Sequence, residues 1–386
     1  MSGSDLHEEL RKAEEAVREA TDAYWRARDA LEEAELSLRF GMATADDLKP
    51  IQARAEAAYA ALERATVARD RLAEALAQSP AAAPSPRPDR EPADVAILRR
   101  DRLSYVIGPQ VLPAQVIDPG QTVTLETEDA LSGRIRTPED LHPECLDRFH
   151  AEREAGLIGP NPVTGPIFVR GAEPGDTLVV RVERIDLDRQ GVTRFRKVWS
   201  PLGDLFTKDC VKIVPIADGV IHWSERIRIP ARPMIGVIGT APALEALSSG
   251  RAGPHGGNMD CPEIAPGATV YLPVAVPGGL LFVGDCHAAM ADAEIGNTAV
   301  ETRATVTLTV GLQKGRPAHF HWPRVETAES IVVVAAGTPL DQTLQLAFRD
   351  LILWLEADYG LDRAEAYLLA TQVADGRLGN SFTVRA

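Results

Sequence analysis

Apolar residues in the first 77 positions recur on a seven-residue rhythm. Leu10, Val17, Tyr24, Leu31 and Leu38 form one row, and Ala13, Ala20, Ala27 and Ala34 form the row three positions on, which is the a/d seam of a coiled coil. The rhythm breaks at Phe40-Gly41-Met42-Ala43, then resumes with Leu48, Ala55 and Leu62 in one row and Ile51, Ala58, Ala65 and Leu72 in the other. This predicts an antiparallel helical hairpin over residues 1–77. Thr44 is placed to cap its second helix, with Asp47 three residues on as the reciprocal partner. Residues 78–94, QSPAAAPSPRPDREPAD, read as a linker, because closely spaced prolines favour extended polyproline geometry over helix or ladder.

From Val95 onward the pattern changes to short apolar runs cut by Pro-Gly or Gly-Asp turns. Thr122 to Leu125 follows Asp118-Pro119-Gly120, Thr177 to Val182 follows Glu173-Pro174-Gly175-Asp176, and Val270 to Val276 follows Ala265-Pro266-Gly267. Thr305 to Val310 alternates threonine with apolar residues, as a half-buried strand does. Residues 95–386 are therefore expected to form a β-rich body in the manner of a sandwich or barrel. Near the end, Leu344, Ala347, Phe348, Leu351, Ile352 and Leu355 recur at helical spacing within Asp341 to Tyr359, with Gly360 as a stop, and Arg363 to Val373 makes a second amphipathic helix. The fold class is thus β-rich α+β.

Charge and cysteine usage narrow the partners. A net charge of −15 opposes nucleic acid or an anionic membrane as the main partner. Cys145, Cys210, Cys261 and Cys286 form no CxxC pair, which argues against a zinc ribbon or a disulfide framework. The first residues are charged and lack an apolar leader core, and no stretch is apolar for long enough to span a bilayer, so a cytoplasmic protein is expected. Neither a dinucleotide-binding glycine fingerprint, a phosphate-binding Walker loop nor a GxSxG elbow occurs.

The chemistry concentrates in GDCHAAMADAEIGNTAVET, residues 284–302. If Leu280 to His287 is a strand, Asp285 and His287 share a face, and the same alternation pairs Asp292 with Glu294. A carboxylate beside an imidazole is a common ligand pair for a divalent metal such as Zn²⁺. The bland alternative is a solvated loop with an ordinary histidine, but the charges are bracketed by apolar runs, Leu280 to Val283 and Val306 to Val310, where buried acids need a cation or hydrogen bonds. A second constellation, residues 253–260, GPHGGNMD, offers His255, Asn258 and Asp260 beside paired glycines that permit close backbone approach to a ligand. Cys286 points to the opposite strand face and offers a rival thiolate mechanism. His319 and His321 in HFHW read as surface or packing groups.

Five ordered blocks resemble the signature blocks of the acetamidase/formamidase family. They are ETEDALSGRI (126–135), NPVTGPIFVRGAEPGDTLVVRV (161–182), RPMIGVIGTAPA (232–243), PHGGNMD (254–260) and TVYLPVAVPGGLLFVGDCHAAMADAE (269–294). The resemblance implies a β-sandwich body with a C-terminal α+β portion, hydrolysis of a small linear carboxamide to carboxylate and ammonia, and self-association, for which the hairpin offers a route. It also implies a divalent metal, Zn²⁺ first and Ca²⁺ or Mg²⁺ as alternatives. Carried onto this chain, the polar motif positions are Asp129, His255, Asn258, Asp260, Asp285, His287, Asp292 and Glu294. Of these, Asp285 and His287, with Asp260 or Asp129 and with His255 as a further candidate, are expected to hold the metal; Glu294, with Asp292 beside it, is expected as general base, and Asn258 or a glycine-loop N–H as oxyanion donor. Two departures stand out: Ala291-Asp292-Ala293-Glu294 replaces the family's GDGE, and the tail 374–386 matches poorly. The alternatives are a hydrolase of cyclic amides, imides or lactones, and a non-catalytic scaffold.

Overall fold

Strand Ala304–Gln313 shows how the body is built. Ala304, Val306, Leu308 and Val310 are buried, while Thr305, Thr307 and Thr309 stay on the outer face. It pairs antiparallel with Gln121–Thr127, so that Thr309 lies opposite Thr122 with their hydroxyls 2.9 Å apart, and Thr307 lies opposite Thr124. In this computed structural model the described residues are 97–156, 159–317 and 319–386, together with the helical stretch 46–54 and scattered positions between 9 and 68.

Two sheets make up the body. The eight-stranded sheet runs in spatial order Arg377–Leu378, Thr383–Arg385, Ile331–Ala336, Arg324–Glu326, Thr269–Pro273, Thr177–Leu187, Ala304–Gln313 and Gln121–Thr127. The twelve-stranded sheet is centred on Leu281–His287, flanked by Met234–Thr240 and by both Val163–Val169 and Glu301–Thr302. Val180, Val270, Val306 and Leu308 of the first sheet meet Ile235, Ile238, Leu281, Val283 and Cys286 of the second in one core. Each such aliphatic side chain contributes about 1.5–3 kcal/mol by burial. This is the expected sandwich arrangement.

Boundaries moved where backbone chemistry required it. The strand expected over Val270 to Val276 ends at Pro273, a residue with no N–H for the ladder. Leu280 takes φ +52° after Gly278 and Gly279, so the central strand starts one residue later than expected. The helix Leu340–Tyr359 packs Ala347, Leu351 and Trp354 on Val333 and Ala335, and it stops at Gly360 in the left-handed conformation. Asp362 caps Arg363–Val373 by accepting from the N–H groups of Ala364 and Glu365. His321 Nδ1 lies 2.7 Å from the buried Asp350 of the first of these helices, a packing contact as expected for HFHW.

The chain divides into two compact units, Met1–Glu91 and Pro92–Ala386. The expected hairpin seam and proline-rich linker lie outside the described residues except near the middle of the first unit. There, Thr44 N–H donates to Asp47 Oδ2 at 2.9 Å and Asp47 N–H to Thr44 Oγ1 at 3.4 Å, at the start of helix 46–54. Among the described residues no helix is long and apolar enough to cross a membrane.

Candidate active site

The central strand delivers two functional side chains to one face. His287 Nε2 lies 3.5 Å from Asp285 Oδ1 and 3.2 Å from Glu301 Oε2 on the neighbouring strand, all three residues being buried. Cys286, between them, points into the hydrophobic core, and burial pushes its thiol up to about 12. A thiolate nucleophile is therefore absent from this face at neutral pH. Opposite Asp285, Gly236 leaves the space that the cluster needs: a Cβ there would stand 2.7 Å from Asp260 Oδ1 and 2.9 Å from His287 Cε1.

Three carboxylates are held in the same manner. Asp260 Oδ2 accepts from Asn380 Nδ2 at 2.6 Å, Asp285 Oδ2 from Asn161 Nδ2 at 2.7 Å, and Glu301 Oε1 from the Ala299 N–H at 2.9 Å. The second oxygen of each, Asp260 Oδ1, Asp285 Oδ1 and Glu301 Oε2, is buried without a hydrogen-bond partner, as are both ring nitrogens of His287. Donor atoms of Asp260, Asp285 and His287 lie within 4.8 Å of one another, and so do those of His287, Glu294 and Glu301. Buried acceptors converging without donors match the ligand set of a divalent cation, with the amides orienting each carboxylate from behind.

Electrostatics agree with that geometry. Burial pushes Asp260 and Glu301 up to about 7, with His287 opposing the shift in each. Burial also holds Glu294 well above the usual carboxylate range, and Asp260 adds to it. Burial opposes the charged form of His287, yet Glu301 and Asp285 outweigh it and raise its pKa well above the ordinary value. The backbone is strained at the same place: Asn161, Asp260, Asp285 and Glu294 all take positive φ, between 40° and 53°. Such conformations cost about 1–3 kcal/mol each for residues with a side chain and collect at functional sites.

The remaining expected residues divide. Asn258 is buried beside the cluster and accepts from Asn161 Nδ2 at 3.0 Å. Glu294 lines a cavity of about 250 Å³ together with Asn161, Asn258, Asp260, Asp285 and Glu301. Asp129 belongs to neither group of candidate ligands; its Oδ1 accepts from the N–H groups of Leu131 and Gly133, tying a turn at the cavity's edge. His255 is also outside both groups, a buried imidazole pushed down to about 4 by desolvation. Asp292 and Glu294 do not alternate along a strand, because residues 288–300 form a loop. Asp292 instead pairs with Arg385 and is half exposed. Of the two alanines that replace glycine, Ala293 takes φ +72°, whereas Ala291 takes no positive φ.

Sequence reasoning passed over Asn161, Asn380 and Gly236, and it left Glu301 without a role. Asn161 opens the block NPVTGPIF, where a residue ahead of proline reads as backbone punctuation. Asn380 follows Gly379 in a tail that reads as a turn. A larger groove, about 1150 Å³, lies between helices Leu340–Tyr359 and Arg363–Val373, is lined mainly by apolar residues and contains none of these groups.

Residues 102–253 and 246–378 match the sequence profile of the Acetamidase/Formamidase family. The chain belongs to that family. Among solved structures, an acetamidase from Bacillus halodurans superposes with a TM-score of 0.68 at 34% identity, covering 75% of this chain and 95% of that one. An acetamidase from Yersinia enterocolitica gives 0.67 at 33% identity, covering 76% and 92%. The formamidase of Methylophilus methylotrophus is 26% identical over 257 residues, 52% of this chain and 61% of that protein. The chain spans 61–65% of the length of the curated relatives it matches. The matched residues take in every member of the buried cluster except Asn380.

Proposed function

We propose that this chain hydrolyses a small linear carboxamide, releasing a carboxylate and ammonia, with a divalent cation held by Asp260, Asp285 and His287 and by Glu301. The observation that carries this reading is the set of three buried carboxylates, each with one oxygen tied to an amide and the other left free beside His287. The family relatives named acetamidase and formamidase support the choice of substrate class. When bound, the cation supplies Lewis acidity, polarising a carbonyl oxygen and making water more acidic.

Glu294 is the group suited to move protons. It lines the cavity, its carboxyl is held well above the usual carboxylate range by burial and by Asp260, and no hydrogen bond among the described residues commits it elsewhere. A carboxylate made more basic by burial is suited to take a proton from water and return it to the departing nitrogen. Asn258 presents an amide to the cavity; its Oδ1 accepts from Asn161, which leaves its NH₂ as the donor side, placed beside Asp260 and suited to a developing oxyanion. Asn161 and Asn380 orient the carboxylates of Asp285 and Asp260.

Elemental analysis of the purified protein, paired with ammonia release from formamide, acetamide and propanamide, tests the reading. A stoichiometric divalent metal with ammonia release that a chelator abolishes is the expected result. Protein that carries the metal yet releases no ammonia from any amide would sink the proposal.

A further inference from the structure

The same cavity has a second wall of opposite charge. Arg194, on strand Gln190–Phe195, is only 8% exposed and lines the cavity, and its Nη1 is buried with no hydrogen-bond partner. Its backbone is fixed on both sides by Thr298, whose hydroxyl accepts from the Arg194 N–H at 2.9 Å and donates to the Arg194 carbonyl at 2.6 Å. Arg153, from helix Pro143–Glu154, reaches the same cavity, and the two guanidinium groups share the ring of Phe149 at 5.3 and 5.8 Å.

Counting charges shows what this wall lacks. The neighbouring Arg196 is matched by Glu154 at 3.6 Å and Asp209 at 3.3 Å. Arg194 and Arg153 form no ion pair with a carboxylate among the described residues; Arg153 opposes the charge of Arg194, and Arg196 opposes that of both. Glu301 favours the charge of Arg194 and Asp285 that of Arg153 through space, yet neither stands at ion-pair distance, and their free oxygens converge on His287 instead. A buried guanidinium without a paired anion is unfavourable, so a planar donor fork lining a ligand cavity calls for an anion from the ligand. The cavity, about 250 Å³, holds a molecule of few heavy atoms.

We infer that the substrate is a short amido acid, whose carboxamide meets the acidic cluster while its carboxylate is held by Arg194, with Arg153 beside it. This rests on the hydrolase reading above. The reaction breaks the amide C–N bond, forms a C–O bond to the oxygen of water, and sends both protons of water out with the nitrogen as ammonium, leaving a dicarboxylate. Arg194 selects the substrate and takes no part in the proton transfers.

The test compares malonamate and succinamate with their neutral counterparts malonamide and succinamide, by ammonia release with the metal-loaded full chain. The charged member of each pair is expected to have the higher kcat/KM per amide group by at least about tenfold. In Arg194→Gln that ratio falls to within about twofold, chiefly through a higher KM for the charged member, and Arg194→Lys falls between. Equal rates for charged and neutral amides, or a ratio that survives Arg194→Gln, would overturn the inference and leave the hydrolase standing. If no amide of either kind is turned over, the hydrolase reading fails. Calorimetry then decides this inference separately: succinamate binding that Arg194→Gln removes supports it, and no binding to the unaltered protein overturns it. Should circular dichroism show Arg194→Gln unfolded, Arg153→Gln serves as the second variant with the same ratio as its readout.

Discussion

Asn380 Nδ2 lies 2.6 Å from Asp260 Oδ2, so a residue of the C-terminal tail holds a carboxylate that comes from the glycine-rich loop 120 positions earlier. The same nitrogen also reaches the Asn258 carbonyl at 3.3 Å. Asn380→Ala should leave Asp260 free to turn. Loss of an orienting partner behind a metal ligand lowers metal affinity or activity by about 10–100-fold. Competition of the variant with a chromogenic chelator measures this; affinity and kcat/KM equal to the parent would reduce Asn380 to a packing residue.

His287→Ala removes the only imidazole from either group of candidate ligands. The variant should lose cation retention and ammonia release together, by more than the roughly 100-fold expected for an orienting residue. Metal content by elemental analysis and turnover would be read on the same preparation. Full activity would remove the cluster from consideration.

Gly236→Ala tests the space rather than the charges. Its Cβ would meet Asp260 Oδ1 and the Asp285 carbonyl, each at 2.7 Å, within a sheet that has no room to give. Overpacking of this kind destabilises by about 1–3 kcal/mol. A lower denaturant midpoint accompanied by lost turnover is expected, and a variant with both unchanged would show that the two strands separate easily here.

Ala293→Gly addresses the family glycine that this chain has replaced. Ala293 holds φ +72° in the loop that carries Glu294. Relieving a left-handed alanine should stabilise the fold by about 1 kcal/mol, after allowing for the greater freedom of glycine in the unfolded chain. Urea denaturation reads the change, and a lower midpoint in the variant would contradict it.

The acid limb of stability should depend on Asp176. Its carboxylate accepts from Lys314 Nζ at 2.7 Å and from the N–H groups of Gly315 and Glu173, each at 2.9 Å, and the Lys314 hydrogen bond leads in holding its pKa at about 2. Because this pKa lies below the unfolded value of 3.8, its contribution is present above pH 3.8 and is lost as pH falls towards 2. In Asp176→Asn, melting temperature should decline less steeply between pH 4 and 2 than in the parent. Parallel curves would show that another carboxylate governs acid unfolding.

Much of the body was legible one residue at a time. Alternation in Ala304–Gln313 and the helical spacing up to Gly360 report which side of each element faces the core, a local property that periodicity carries directly. Asp285 and His287 were legible for the same reason, since one strand places both. The ligand set was harder to read. Asp129 and His255 looked equal to Asp260 as polar residues in glycine-containing blocks, yet backbone N–H groups engage Asp129 and burial isolates His255.

What the chain determined by itself is the succession of strands and helices, the family blocks and the acidic, imidazole-bearing stretch at the end of the central strand. Tertiary structure alone decided which partners meet there. Glu301 arrives through pairing of Glu301–Thr302 with the central strand, Asn161 precedes the strand on that strand's other edge, and Asn380 comes from the tail. Arg194 and Arg153 reach the cavity from a strand and a helix distant in sequence from the acids. The physical reason is that periodicity encodes the face a residue turns to the interior, whereas the neighbours it finds depend on strand order and register, which long-range packing sets.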